Sequence, residues 1–497
     1  MYDILIRNGM VLDGTGSPGF YAQVAIQNGK IAKIARHIPG EAATVIDAQG
    51  QVITPGFIDS HSHSDGQIFT CPVQTEKVEQ GITTSVTGQC GESICGRDAD
   101  KFFQDAQGIR LGANMAILIG HGTLRSAVMG EENRAPTPEE LEEMKNMLRV
   151  AMENGALGVS FGLIYAPGCF AQTEELIEIA KVVGQYHGIA AIHLRSETTE
   201  LVRSVREFIT VVRESGVRGV ISHHKAGGLS ENWGKVHTTL RMIDDANREG
   251  LELYLDVYPY TAASSDFSTT FIPPRWHDGG TEALLKRAED PEQVAQIREE
   301  FYATYPDMKW LMITSCAGAP EYTGLRVSEI AALRNQDEFQ TAIDLVRISK
   351  NDVRSCFFYM CEEDVETVIA HSRAMICTDS SVAPKRSAYH PRLRAAFPRA
   401  IARYVRERSV VSLPEMIRKM TAMPAAVYGF QSKGLLREGM DADICVFHPD
   451  KLQDRADFTD PTKRCEGLSY VIVGGKIAAV NAVATGELGG TLLPRNL

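Results

Sequence analysis

Along residues 1–52, apolar and polar positions alternate with the two-residue period of half-buried strands. The alternation is broken by the turn pairs Asn8-Gly9, Asp13-Gly14, Asn28-Gly29 and Gln49-Gly50. Val24-Ala25-Ile26 and the run from Lys30 to Ile34 read as short strands of a small sheet. The same texture returns near the other end, in Ala442 to Phe447 and Tyr470 to Ile477. Residues 1–52 and 425–497 are therefore predicted to pair into one discontinuous, β-sandwich-like domain.

Residues 53–424 alternate short apolar runs with longer amphipathic stretches. Eight runs qualify as strands, ending near Asp59, Thr87, Ile119, Phe161, His193, His223, Tyr258 and Asp379. Helix-like segments such as Pro138 to Asn154, Thr173 to His187 and Thr199 to Ser215 lie between them. Eight strand-then-helix units predict an α/β fold, a (β/α)8 TIM barrel. The interval before the eighth strand is too long for one helix. Residues 265–345 thus read as an inserted, lid-like segment at the barrel's mouth.

With 497 residues, the chain has room for one large barrel and smaller satellites. Its 44% hydrophobic and 23% charged content is that of a globular protein. A net charge of −12 and a pI near 5.6 argue against nucleic acid or an anionic membrane as main partner, because both need a basic footprint. Met1 to Gly9 runs directly into a strand pattern with no basic-then-apolar leader, and no apolar run approaches the roughly 18 residues of a membrane span. Ten scattered cysteines without zinc-ribbon spacing read as reduced thiols. A cytoplasmic protein is expected, with its oligomeric state left open.

The chemistry begins where the first predicted strand ends, in His61-Ser62-His63. Residues two apart on an extended segment point the same way, so both imidazoles can reach one metal. Cys90 follows the second strand, His193 ends the fifth, His223 the sixth and Asp379 the eighth. Singly, each has an ordinary structural reading, Cys90 as a packed thiol and the histidines as satisfied core residues. Their shared placement on one rim selects the metal reading. Imidazole, thiolate and carboxylate suit zinc rather than magnesium or calcium, which prefer oxygen shells. Zinc acidifies bound water and polarises a carbonyl, and Asp379 is placed to act as general base and then acid.

The run Pro55 to His63 and the segment Gly439-Met440-Asp441-Ala442-Asp443 resemble motifs of the amidohydrolase superfamily. More narrowly, the chain resembles the D-aminoacylases, the N-acyl-D-amino-acid deacylases. That likeness is carried by Gly88-Gln89-Cys90-Gly91, the run Gly120 to Arg125, Ser222-His223-His224-Lys225, Asp256 to Tyr260 and His390-Pro391-Arg392. The resemblance implies a tight zinc on Cys90, His193 and His223, with a second, weaker position framed by His61, His63 and Asp379. It also implies that Lys225, Tyr258 and Arg392 bind the α-carboxylate of a small N-acyl-D-amino acid substrate. Arginine's planar fork and lysine's point charge suit that anion.

Two departures from the family pattern fall at predicted rim positions. Phe161 stands where relatives usually carry a small hydroxyl residue, and the loop from Ser380 to Tyr389, with Lys385 and Arg386, is slightly long. In the insertion, Arg275 and the pair Gly279-Gly280 are candidates for shaping the acyl or side-chain pocket. Other functions remain open on sequence alone. A cyclic-amide hydrolase of the dihydroorotase or hydantoinase kind would want a lysine near the end of the fourth strand, where this chain has Ser160 and Phe161. A non-catalytic assembly or regulatory barrel should have lost ligands, and a deaminase would want more histidines around the sixth strand.

Overall fold

A computed structural model describes residues 1–382 and 390–495. The eight barrel strands are Phe57–Asp59, Ile82–Thr87, Asn114–Ile117 continued by Ile119–Gly120, Gly158–Gly162, Ile189–His193, Arg218–Ile221, Leu253–Val257 and Ala374–Ile376. Neighbours pair in parallel. The third strand is interrupted at Leu118, whose N–H reaches back to Thr87 O. Between the eighth strand and the first, the ring is closed just beyond the strand ends. Asp379 N–H donates to His61 O at 2.9 Å and His63 N–H to Ser380 O at 3.0 Å. The backbone that joins the two ends of the barrel wall is thus the backbone of three predicted site residues.

Inward-facing Ile58, Val86, Ala116, Ala191, Val220 and Met375 form one apolar cluster inside the ring. Met423, Val427, Tyr428 and Phe430, from helix Ala422–Tyr428 and its exit, complete that cluster. The helices lie outside, and their boundaries follow local chemistry. Helix Pro138–Glu153 starts sharply because Thr137 and Glu140 form a reciprocal capping box and proline occupies the first turn.

Strands from both ends of the chain share one nine-stranded sheet. Strand Ala42–Asp47 and strand Val52–Pro55 run parallel to Tyr2–Val11, and Ile444–Phe447 pairs antiparallel with Val52–Pro55. The hairpin between Phe20–Gln27 and Lys30–Ala35 turns on Asn28 and Gly29, with φ of 51° and 72°. Two positive φ values in a two-residue loop are what an Asn-Gly hairpin turn supplies. A bridge from Lys30 to Asp441 folds the sheet back on itself around Ile6, Val24, Ile26, Ile444 and Ile472.

After the seventh strand the chain leaves the barrel. Strands Ala262–Asp266, Leu311–Cys316 and Val353–Phe358 form a separate antiparallel sheet with Val353–Phe358 in the middle. This sheet extends beyond residues 265–345 on both sides. Ala262 to Asp266 has little strand propensity of its own and becomes a strand by pairing with Val353–Phe358. Among the described residues, no helix is long and apolar enough to cross a membrane.

A buried ion pair braces the closure. Lys77 Nζ donates to Asp59 Oδ2 at 2.8 Å, Thr378 Oγ1 at 2.9 Å and Ser380 O at 3.2 Å. Asp59 also accepts from Thr378 N–H and from its hydroxyl. Lys77→Met should leave Asp59 buried without its counter-ion and lower stability by about 3–5 kcal/mol. Denaturant titration of the full chain checks this, and the Asp59→Asn, Lys77→Met pair should recover much of the loss.

Candidate metal centre

Cys90, His223 and Asp379 each leave a barrel strand in the left-handed region, with φ of 54°, 34° and 48°. For residues other than glycine this conformation is costly, about 1–3 kcal/mol each, and it persists only where the surroundings enforce it. Around Cys90 the enforcement is visible. A side chain at Gly88 would place Cβ 2.0 Å from Leu118 O, and one at Gly91 would place it 2.7 Å from Gly162 N. Ser160 pins the same loop, donating to Gly88 O at 2.6 Å and accepting from Gly91 N–H at 3.0 Å.

The thiol held there sits among imidazoles. Cys90 Sγ is 3.3 Å from His61 Nε2, 3.6 Å from His193 Nδ1 and 3.3 Å from His223 Nε2. Cys90, His193 and His223 form one convergent donor group, His61, His63 and Cys90 another, and His61, His223 and Asp379 a third. Asp379 Oδ1 lies 3.5 Å from His61 Nε2 and 3.1 Å from His63 Nε2. All six residues named as ligands from sequence therefore meet in one cluster.

This donor set fits zinc. With Zn–S near 2.3 Å and Zn–N near 2.0–2.1 Å, tetrahedral ligand atoms stand roughly 3.3–3.6 Å apart, which is the spacing observed around Cys90 Sγ. Burial holds the His193 and His223 imidazoles well below their ordinary pKa, hence neutral, as ligands must be. Burial pushes the Cys90 thiol up, and nearby Asp379 and Glu197 push it further. A buried thiol of this kind needs a cation before it ionises. Burial would also raise the Asp379 carboxyl, but Arg392, followed by His223, His63 and His61, holds it well below the usual carboxylate range.

The cluster lies at the floor of a cavity of about 610 Å³. His63, Cys90, His193, His223 and Asp379 line it, and so do Lys225, Tyr258 and Arg392. His61 is fully buried beneath the floor. Tyr258 lies between the two cations, its ring centre 5.5 Å from Lys225 Nζ and 4.9 Å from the Arg392 guanidinium carbon. Its hydroxyl reaches Met360 Sδ at 3.8 Å. Arg392 is committed on one edge to Asp379 Oδ2 at 2.7 Å. The separate antiparallel sheet and its helices supply an aromatic wall of Phe271, Phe301, Tyr305, Trp310 and Phe357, extended by Tyr359.

Several positions differ from their sequence expectation. Phe161 does not reach the cavity; it is fully buried against His121, ring centres 5.3 Å apart, because it faces the helices while Ser160 faces inward. Arg275 also stays out of the cavity, pairing with Glu300 and stacking on Trp276. Lys385 and Arg386 lie outside the described residues. Two acids of the site were missed. Glu197 meets His223 Nδ1 at 3.0 Å, and Asp256 Oδ1 accepts from His223 N–H at 2.6 Å and faces His61 Nδ1 at 3.7 Å. The available signal was a carboxylate four residues after His193, since ligating histidines need an acceptor on their other nitrogen.

A model of the amidohydrolase family matches residues 44–479. This chain belongs to the amidohydrolase family. Over 99% of its length the amidohydrolase is 32% identical to a D-aminoacylase of Alcaligenes xylosoxydans xylosoxydans, covering 98% of that protein. It is 33% identical to an N-acyl-D-glutamate deacylase of the same organism, over 95% of this chain and 93% of the relative. Its fold matches the crystal structure of N-acyl-D-glutamate deacylase from Bordetella bronchiseptica with a TM-score of 0.86, 32% identity and full coverage of both chains. That structure was solved with zinc and a phosphonate inhibitor that mimics the tetrahedral intermediate.

Proposed function

We propose that this amidohydrolase cleaves the amide bond of N-acyl-D-amino acids, releasing a carboxylate and a free D-amino acid. The observation that carries the proposal is the meeting of a Cys90–His193–His223 donor set with Asp379 and a pair of cations in one cavity. Cys90, His193 and His223 would hold a tight zinc, while His61, His63 and Asp379 frame a weaker position. Bound zinc supplies Lewis acidity toward the amide carbonyl and acidifies water. Lys225 and Arg392 hold the substrate's α-carboxylate, with Tyr258 fixing the spacing between them. Asp379 takes the proton of water on its carboxylate and returns it to the departing nitrogen, which leaves readily only as an amine.

We propose that residues 53–424 are the metal-binding barrel and that 1–52 and 425–497 form a discontinuous β domain; the lid-like insertion, expected over 265–345, is widened to 262–358 by the pairing of Ala262 with Phe358. Ten free cysteines support a reducing compartment, the cytoplasm.

The test is a panel of N-acetyl amino acids in both configurations, assayed for free amine. D-substrates should be preferred, and equal or faster hydrolysis of L-substrates would overturn the proposal. Within the panel, N-acetyl-D-phenylalanine and -leucine should exceed N-acetyl-D-glutamate. The cavity has its aromatic wall, and its lining cations among the described residues are all assigned: Lys225 and Arg392 to the substrate's α-carboxylate, while Arg195 faces Glu207 and Arg354 faces Asp266. Faster turnover of the D-glutamate substrate would remove this account of side-chain choice.

A further inference from the structure

One carboxylate, that of Glu197, meets three residues of the site. Its Oε1 is 3.0 Å from His223 Nδ1 and 2.5 Å from Lys225 Nζ, while its Oε2 stands 3.6 Å from His193 Nε2. Glu197 lies in the segment after the fifth barrel strand and is buried.

The chemistry turns on a further contact, since Lys225 Nζ is itself 2.8 Å from His223 Nδ1. An ammonium nitrogen can only donate. Beside it, His223 has two choices. If Nδ1 accepts from Lys225, the ring proton sits on Nε2, the nitrogen facing Cys90 Sγ at 3.3 Å. If Nδ1 carries the proton and donates it to Glu197, the Nε2 lone pair is free. Only the second tautomer can ligate a metal through Nε2. His193 poses the same problem with its nitrogens exchanged. Its Nδ1 faces Cys90 Sγ, so its proton belongs on Nε2, which among the described residues has no hydrogen-bond partner in reach and faces Glu197 Oε2.

We propose that Glu197 is a positioning residue that fixes the metal-competent tautomers of His223 and His193 and couples them, through Lys225, to the substrate-carboxylate end of the cavity. This role rests on the zinc reading given above. It makes Lys225 an internal competitor: without Glu197, the ammonium selects the wrong His223 tautomer.

The test measures zinc affinity of the full chain by chelator competition, with the thiolate-to-metal absorbance of cobalt-substituted protein as a second readout. Glu197→Gln keeps the shape but puts an amide where two acceptor oxygens stood, and should weaken zinc binding roughly 10- to 100-fold and diminish the cobalt–thiolate band. Lys225→Met alone should hold zinc close to wild type. The double variant should regain most of the lost affinity, because no ammonium competes for Nδ1 and the introduced amide oxygen can accept its proton. The double variant also removes both buried charges, so a folding defect from an unpaired lysine cannot mimic the result. Zinc held equally by wild type and Glu197→Gln, or a double variant no tighter than Glu197→Gln, would overturn the role. A wild-type chain without tight zinc would overturn the metal reading and this role together.

Discussion

Asp379→Asn is expected to lower kcat for an N-acetyl-D-amino acid by roughly 10²–10⁴-fold, the range lost with a general acid–base group, while zinc content stays near wild type. In the proposed function the tight zinc rests on Cys90, His193 and His223, and Asp379 is not among them. Its carboxylate instead bridges His63 and Arg392, with one oxygen 3.1 Å from His63 Nε2 and the other 2.7 Å from Arg392 Nη1. An asparagine keeps the shape and the backbone bond to His61 O but cannot take a proton. Because Arg392, with the imidazoles around it, outweighs burial, the Asp379 carboxyl is held well below the usual range and stays ionised through mildly acidic pH. Protonation of this group should therefore not set an acidic limb near pH 4–5, where ordinary carboxylates titrate. An Asp379→Asn protein with normal metal and near-normal turnover would remove Asp379 from the proton-transfer role.

Cys90→Ala is expected to have the other large effect. It removes the sulfur on which three imidazoles converge, and with it the soft donor that selects zinc. Losing a direct ligand should weaken zinc by more than the roughly 10- to 100-fold typical of an outer-shell partner. After dialysis against a chelator, metal analysis should find the variant empty where the wild type keeps its zinc, and turnover should fall in step. Cys90→Ser should fall between them, since its hydroxyl is a harder and weaker ligand. Full occupancy in Cys90→Ala would place the tight site elsewhere.

Much of this architecture was legible because its signals are local. The barrel strands are buried on both faces and bounded by turns, so their ends could be placed within a few residues. Helix Pro138–Glu153 announces itself through Thr137, Pro138 and Glu140. The convergence of the six donor side chains was readable because strand ends on one rim of a barrel must meet, whatever lies between them in sequence.

Other features depend on contacts that no local pattern encodes. The Arg392–Asp379 pair joins residues across a loop, and its consequence for Asp379 appears only when both are buried together. Glu197 is marked locally only as a carboxylate four residues after His193; its reach to His223 and Lys225 depends on how the chain returns from the fifth strand to the sixth. The Phe161 expectation failed on parity, since adjacent strand residues face opposite sides and a rim position is not necessarily a cavity position.

The excursion after the seventh strand leaves and returns through a single antiparallel couple, Ala262 opposite Phe358. Most of the aromatic wall belongs to that excursion, whereas the six donor residues belong to the barrel. The segment between those paired residues is thus a cassette with adjacent ends. Exchanging it for the matching segment of a deacylase relative should transplant a preference for one side chain over another without disturbing the barrel and its donor cluster, which makes residues 262–358 the natural unit for building new specificities.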